Sequence, residues 1–311
     1  AGASAGLDAA HRRALGLSAG IAVLADVDDA ESIRWADITR RGFSLHSTPL
    51  EAAEQLRNVM SRQECAWVFT SATLAVGGSF DHFSHRMGLE NFQTLALGSP
   101  FDFENNALLC VPPDLPAPNE PGHTASVVQT ARPLIAAAGG GAFLLFTSHR
   151  ALQTAAAELE GDLDHPLLVQ GEAPRDELLR RFRRHGDAVL LGTASFWEGV
   201  DVRGDALRLV VIDKLPFGSP GDPVTMARLD ALRRRGVNPF THYQLPQAVL
   251  SLKQGVGRLI RDPADTGVCV LCDTRVFGKS YGRVFLASLP PMPVTRSTDE
   301  AAAFLRQRAP A

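Results

Sequence analysis

The sequence predicts an α/β fold, a parallel sheet with helices on both faces, and three observations carry that prediction. Short apolar runs without polar alternation recur from about residue 66 onward, as strands covered on both faces require. Segments with helical patterning separate them, and such strand–helix alternation builds parallel sheets. The residues just after several runs are polar and glycine-rich, which is where ligands gather on sheets of this kind.

Residues 1–60 stand apart and read as helical or irregular, with a turn at His46-Ser-Thr-Pro49 opening an amphipathic helix to about Arg62. Strands are then predicted over Ala66–Thr70, Ala107–Val111, Ala142–Thr147, Leu167–Gln170, Ala188–Thr193, Leu207–Asp213 and Val268–Asp273, each short and rich in Val, Leu or Phe. Helices are predicted near 149–160, 174–185, 223–235 and 245–262. Pro112 to Pro121 is too dense in proline for regular structure.

Composition fits that fold. A chain of 311 residues implies about two domains, and 45% hydrophobic with 21% charged residues excludes disorder as the main state. The longest apolar stretch, Pro133 to Phe146, is broken by Gly139, Gly140 and Gly141 and falls short of the roughly 18 residues that span a bilayer. No membrane partner is expected. The N-terminus has no basic segment followed by an apolar core and does not start with Met, so the sequence reads as a piece of a longer cytoplasmic protein.

A net charge of −3 argues against non-specific nucleic-acid binding through bulk charge. It leaves individually placed arginines, and of 31 cationic residues only Lys214, Lys253 and Lys279 are lysines. Base composition of the genome explains that bias first; the suitability of guanidinium for phosphate comes second. Four cysteines make no disulfide framework. Cys269 and Cys272 fall in a predicted strand, where positions i and i+3 face opposite sides, so they do not share a metal. All four read as core or incidental residues in a reducing compartment. The nine histidines show no H-E-x-x-H spacing, and neither a metal ligand set nor a covalent nucleophile is assigned.

Four segments follow predicted strands with small hydroxyls, glycines and free backbone amides: Thr70 to Thr73, Thr147 to His149, Gln170 to Glu172, and Thr193 to Asp201. Such groups bind phosphate chains because they allow close approach and donate hydrogen bonds. In the predicted helix from Leu245 to Arg261, Val249, Leu252, Val256, Leu259 and Ile260 share one face, and Gln254, Gly257, Arg258 and Arg261 share the opposite one. Glycine costs about 1 kcal/mol against alanine in a helix interior. Beside two arginines with no acid on that stripe, it reads either as an exposed arginine-rich face or as a face that lets a phosphate-bearing ligand approach.

These segments resemble helicase motifs and occur in the expected order. Gln254-Gly-Val-Gly-Arg-Leu-Ile-Arg261 resembles motif VI of superfamily 2 DNA helicases in the DinG/YoaA/XPD (Rad3-like) branch. Thr70-Ser-Ala-Thr-Leu74 resembles motif III, Phe146-Thr-Ser-His149 motif IV, and the segment from Leu191 to Gly204 motif V. Gly98-Ser-Pro-Phe101, Lys214-Leu-Pro-Phe217 and Asn238-Pro-Phe-Thr-His-Tyr243 are connecting sequences similar to that branch, and the tail from Ser288 to Arg296 is similar to its bacterial YoaA-type members.

The resemblance implies a RecA-like helicase motor domain 2 with an N-terminal helical remnant, and an ATP-dependent DNA helicase moving 5′ to 3′ in repair or replication. Arg258 and Arg261 would act as catalytic fingers on the γ-phosphate, with Gln254 placing ATP or the attacking water. Asp201, Gly199 and Gly257 would meet the nucleotide, Asp201 through the ribose or a finger arginine. Ser71 and Thr73 would couple nucleotide to DNA movement, and Ser148, Gly171, Thr193 and Ser195 would hold DNA phosphates. Glu198 would orient Arg203 or serve the nucleotide. Trp197 and Tyr243 offer surface for base stacking, but aromatics in such loops, Phe196, Phe217 and Phe240 included, more often plug the core.

The sequence departs from the family as well. It contains no G-x-x-x-x-G-K-S/T phosphate loop, no Asp-Glu-Ala-His box and no four-cysteine set. The implied organisation is the end of an inserted arch-like helical region (1–48), the last helix and strand of motor domain 1 with motif III (49–76), motor domain 2 (77–290) and a C-terminal tail for partner docking (291–311). ATP with Mg2+ is the implied cofactor, its main ligands outside this stretch, as would be a 4Fe–4S cluster. Single-stranded or forked DNA and the chi subunit of DNA polymerase III are the implied partners. Alone, the stretch would not hydrolyse ATP. The alternative reading is a non-catalytic DNA-binding or partner-docking module.

Overall fold

The computed structural model describes residues 5–26, 32–39, 41–193, 196, 204–219 and 221–308. In chain order its elements begin with α1 (Ala5–Ala25), β1 (Ser32–Thr39), β2 (Gly42–Pro49), α2 (Ala53–Ser61), α3 (Asp81–Met87), α4 (Phe103–Asn106) and β3 (Ala107–Cys110). There follow α5 (His123–Ala138), β4 (Ala142–Leu145), α6 (His149–Leu159), β5 (Leu167–Val169), α7 (Arg175–His185), β6 (Val189–Gly192) and β7 (Leu209–Ile212). The chain continues through α8 (Pro223–Arg234), α9 (Leu245–Val256), β8 (Gly267–Leu271), α10 (Arg275–Gly278), α11 (Gly282–Ser288), β9 (Val294–Thr295) and α12 (Thr298–Gln307). Two compact units result: residues up to 69 with 82–92 and 218–243, and residues 70–81 with 93–217 and 244 onward.

The second unit is the predicted sheet. Its order is β5-β6-β4-β7-β8-β3-β9, and every pair is parallel. The strands alternate between two buried faces. Ala142, Leu144, Val189, Leu191, Leu209, Val211, Val268 and Val270 share one core with residues of α5, α6 and α12. The intervening side chains face the opposite layer, where Phe143 on β4 meets Phe182 on α7 with ring centroids 4.6 Å apart. Fully burying each such side chain contributes roughly 1.5–3 kcal/mol. Cys272 belongs to the first core while Cys269 does not, as opposite faces of a strand require. Burial pushes the thiols of Cys110 and Cys269 up, to about 11 and about 12.

Several elements differ from the sequence prediction. Ala66–Thr70 pairs with no strand among the described residues, and Trp67 and Val68 are exposed; an apolar run becomes a strand only where a neighbour takes its backbone hydrogen bonds. Residues 32–49, expected to be helical or irregular, form an antiparallel hairpin with Trp35 opposite His46, their rings stacked 4.8 Å apart. The apolar stretch from Pro133 is the end of α5, missing from the prediction, and is closed by Gly139 and Gly140 at φ 66° and 78°. A Cβ at Gly140 would lie 1.8 Å from the Asp187 carbonyl oxygen.

The segment expected to be a tail is built into the sheet unit. β9 pairs with β3, and Ala301, Ala302 and Leu305 of α12 are buried. Arg208, itself buried, donates to the carbonyls of Ala138 and Leu305, so one side chain fastens the ends of α5 and α12.

Candidate functional site

The carboxyl ends of β4, β5, β6 and β7 carry the polar segments. After β4 the chain leads to β5 at one end of the sheet, and after β7 it leads to β8 on the other side. The adjacent ends of β4 and β7 are therefore a topological switch point, where open α/β sheets hold their ligands. Asp213, absent from the sequence-predicted set, spans it. Its Oδ1 accepts the Thr147 backbone N–H at 3.0 Å and its Oδ2 accepts the Thr147 hydroxyl at 3.2 Å. Burial pushes the Asp213 carboxyl up to about 6, against the opposing pull of Lys214 and the Thr147 hydrogen bonds.

Ser148 is the N-cap of α6, exposed, with its Oγ accepting the Ala151 N–H at 3.2 Å. Its hydroxyl proton remains to be donated outward. Gly171 is exposed at φ 106°, a conformation that favours glycine. Thr193 is buried, and its N–H and hydroxyl both donate to Gln170 Oε1, at 2.6 and 3.0 Å. That side chain is committed inside the fold, so Gln170 anchors the chain at the end of β6. Phe196 is a buried plug on Gly192, where a Cβ would come within 2.8 Å of the ring's own Cβ. Ser195, Trp197, Glu198, Gly199, Asp201 and Arg203 lie outside the described residues.

The predicted stripe on one helix is corrected by the structure. α9 stops at Val256, so only Gln254 is helical. The chain then tightens: Gly257 N–H donates to the Lys253 carbonyl, Arg258 N–H to Gly255, and Leu259 N–H to Val256. Gly257 has an ordinary φ of −66°, but a Cβ there would lie 3.0 Å from the Lys253 carbonyl oxygen. A tight turn thus accounts for a glycine that the helix-face reading reserved for ligand approach. Leu259 and Ile260 are buried while Gln254, Gly257, Arg258 and Arg261 are half-buried, so the inside–outside division holds although the helix does not.

What fixes that turn is Asp265, a second residue that sequence reading missed. It is buried, its Oδ2 accepts the N–H groups of Arg261 and Asp262 at 2.8 Å each, and its Oδ1 accepts that of Gly204 at 3.0 Å. Arg261 closes the motif VI segment and Gly204 closes motif V, so one carboxylate brings the two together. An aspartate four residues past an arginine is the only sequence signal, and it resembles any turn-capping acid.

The motif III segment reaches the same region from elsewhere in the unit. Ser71 Oγ and Thr73 Oγ1 lie 3.2 Å apart, and the Thr73 N–H donates to Ser71 Oγ. Beyond them, Lys253 Nζ donates to the Ala75 carbonyl at 3.1 Å and Ser288 Oγ accepts the Gly77 N–H at 2.9 Å. Burial holds the Lys253 ammonium below the usual lysine range. The helix carrying Gln254 is thereby tied to the segment carrying Ser71 and Thr73.

Comparison with known proteins identifies the family. The chain is 46% identical over 304 residues to the ATP-dependent DNA helicase YoaA of Escherichia coli strain K12, covering 98% of this chain and 48% of that protein. It is 36% identical over 286 residues to the 3′-5′ exonuclease DinG of Bacillus subtilis strain 168, covering 88% of this chain and 31% of that one. The chain spans about half the length of the YoaA protein or less of such relatives. A solved structure titled XPD_Helicase superposes with a TM-score of 0.60 at 16% identity over 85% of this chain and 48% of that one, which establishes the RecA-like fold. The helicase C-terminal domain family matches residues 131–292, just over half of the chain, which therefore belongs to that family.

Proposed function

We propose that the chain is the second motor domain, with parts of its neighbours, of an ATP-dependent DNA helicase that moves 5′ to 3′ on single-stranded or forked DNA in repair or replication. The observation that carries this reading is Asp265, which sets the finger-bearing turn at Arg261 and the end of motif V at Gly204 on one buried carboxylate. Arg258 and Arg261 supply charge to the γ-phosphate, Gln254 places the nucleotide or water, and Gly199, Asp201 and Gly257 line the nucleotide. Ser148, Gly171, Thr193 and Ser195 serve the DNA track. Of these, Thr193 has its own hydroxyl spent on Gln170.

ATP is the substrate in this reading, and its phosphate loop and Mg2+ carboxylates lie outside the 311 residues, so the chain alone does not turn over. Among the described residues no group of three or more His, Cys, Asp or Glu side chains could hold a metal ion. No residue here is assigned to Mg2+ or to a 4Fe–4S cluster. Residues 1–48 and 49–76 belong to the arch-like region and the first motor domain, 77–290 to the second, and the location is cytoplasmic. DNA-stimulated ATPase of the full-length protein tests the reading. Loss of stimulated turnover in Arg258→Ala supports it, and undiminished turnover overturns it.

The chi subunit of DNA polymerase III remains the partner proposed for 291–311. Because α12 packs into the sheet unit, that partner would meet its exposed residues, such as Arg306. Pull-down of chi with Arg306→Glu tests this: reduced recovery supports docking there, and unchanged recovery removes it.

A further inference from the structure

We propose that Lys253 is a positioning residue for ATP turnover, joining the motif III segment at Ala75 to the turn that carries Arg258. The inference rests on the ATP-dependent reading above and adds a residue that lies outside every matched motif.

Lys253 is bonded at both ends. Its Nζ donates to the Ala75 carbonyl at 3.1 Å, and its own carbonyl accepts the Gly257 N–H at 2.8 Å. The first bond lands two residues past Thr73. The second opens the turn in which the Arg258 N–H donates to Gly255 and the Leu259 N–H to Val256. Gln254 is the next residue on the same helix, α9. One residue therefore connects the segment of Ser71 and Thr73 to Gln254 and to the turn of Arg258.

The far side of that connection is stiff. Val76 and Ser79 exchange backbone hydrogen bonds of 2.9 and 3.0 Å across Gly77 and Gly78, which turn at φ 57° and 84°. The Gly77 N–H donates to Ser288 Oγ, which itself donates to the Val284 carbonyl at 2.7 Å. Residues 75–79 thus form a closed turn, anchored on α9 by Lys253 and on α11 by Ser288. A displacement at Ser71 and Thr73 passes to these anchors instead of being absorbed in a slack loop.

The use of a lysine favours this role over packing alone. Its side chain is half-buried, it pairs with no carboxylate among the described residues, and burial holds its ammonium below the usual lysine range. Taking a charge out of water without a counter-charge costs stability, and an apolar side chain of similar length would avoid that cost. What the ammonium adds is a charge-assisted hydrogen bond to one carbonyl, stronger and more directional than an apolar contact.

Steady-state ATPase of the full-length protein, with and without single-stranded DNA, tests the connection. Lys253→Met keeps the stem and removes the donor; its DNA-stimulated kcat should fall about tenfold, with the KM for ATP unchanged. Lys253→Arg keeps a cationic donor and should recover most of that loss. Lys253→Met combined with Thr73→Ala should turn over about as fast as the slower single variant, because both act along one path. Turnover of Lys253→Met equal to wild type, a raised KM with kcat kept, equal deficits in the Met and Arg variants, or multiplied losses in the double variant would each overturn the proposal. Arg258→Ala, measured alongside, separates the two readings. Loss of stimulation there with Lys253→Met unaffected removes the role of Lys253 alone. A wild-type protein without DNA-stimulated turnover, or an Arg258→Ala variant that keeps it, removes the helicase reading as well. Should Lys253→Met unfold at lower urea than wild type, Lys253→Gln, a shorter and neutral side chain, takes its place with the same expectation.

Discussion

Asp265 accepts the backbone N–H of Arg261 at 2.8 Å from a site that is 5% exposed, so the position of that arginine is set by a carboxylate four residues away and not by a helix. The consequence is measurable. Asp265→Ala leaves the N–H groups of Gly204, Arg261 and Asp262 without their acceptor, each costing about 1–3 kcal/mol where water cannot replace it. A loss of about 2–4 kcal/mol in urea unfolding is expected, with Asp265→Asn less affected because it keeps one acceptor oxygen. An unchanged midpoint for Asp265→Ala would show that the turn holds itself.

Arg258 and Arg261 should behave in the opposite way. Both are half-buried in a turn whose backbone is held by other groups, so alanine at either should keep the turn and lower turnover far more than stability. In the full-length protein, a finger arginine is worth about 10³ or more in turnover. A variant with normal stability and DNA-stimulated ATPase reduced by that order is the expected outcome. Equal loss of both stability and turnover would mean that the arginine is structural.

Asp213 gives the sheet unit a pH signature. Burial pushes its folded carboxyl up to about 6, well above the ordinary aspartate value of about 4. Between these values the folded state holds a proton that the unfolded chain releases, so this residue's contribution is present in full below about pH 4 and is lost as pH rises through about 6. Urea unfolding from pH 4 to 7 should show Asp213→Asn flattening this part of the profile. A wild-type stability that rises through that window in step with Asp213 would contradict the sign.

The Lys253 and Ser288 tethers predict local, not global, effects. Lys253→Met keeps the apolar stem and removes the donor to the Ala75 carbonyl; Ser288→Ala removes the acceptor of the Gly77 N–H. Each bond is worth about 1 kcal/mol, so amide exchange over residues 74–78 should quicken by roughly five- to tenfold with the global midpoint almost unmoved. Unaltered exchange there would mean that the segment is held by other contacts.

Gly192→Ala is expected to be costly for a steric reason. The added methyl would sit 2.8–3.0 Å from three atoms of the buried Phe196 side chain, and overpacking of this kind costs about 1–3 kcal/mol. Calorimetric unfolding checks it, and a Tm equal to that of the parent chain would show that Phe196 can shift.

The sheet was legible because six of its seven strands are short apolar runs buried on both faces, although Ala66–Thr70 shows that such a run alone does not make a strand. The two-residue β9 gives no such run, and β1 and β2 are hidden because their hairpin interleaves Arg34, Asp37 and Thr39 with apolar residues on partly exposed faces. Arg258 and Arg261 could be singled out from charge beside glycine, yet the end of α9 could not. Leu259 and Ile260 continue the apolar spacing past Val256, while the backbone turns for the sake of Asp265. Asp213 and Asp265 were illegible, and Gln170 showed only as part of a polar segment, for one shared reason: each acts through a hydrogen bond to a residue distant in sequence or to a backbone N–H, and neither leaves a spacing rule.

The place of β3 in the sheet has a bearing on how the chain is made. β3 leaves the ribosome before the six other strands of its sheet, yet its two neighbours, β8 and β9, are among the last to emerge. Until then, the buried run from Ala107 to Cys110 has nowhere to pair. Such long-range closure slows folding and leaves an unpaired edge open during synthesis. Chains arrested shortly before Gly267 should therefore recruit chaperones through the Ala107–Cys110 run, and emergence of β8 and β9 should end that dependence.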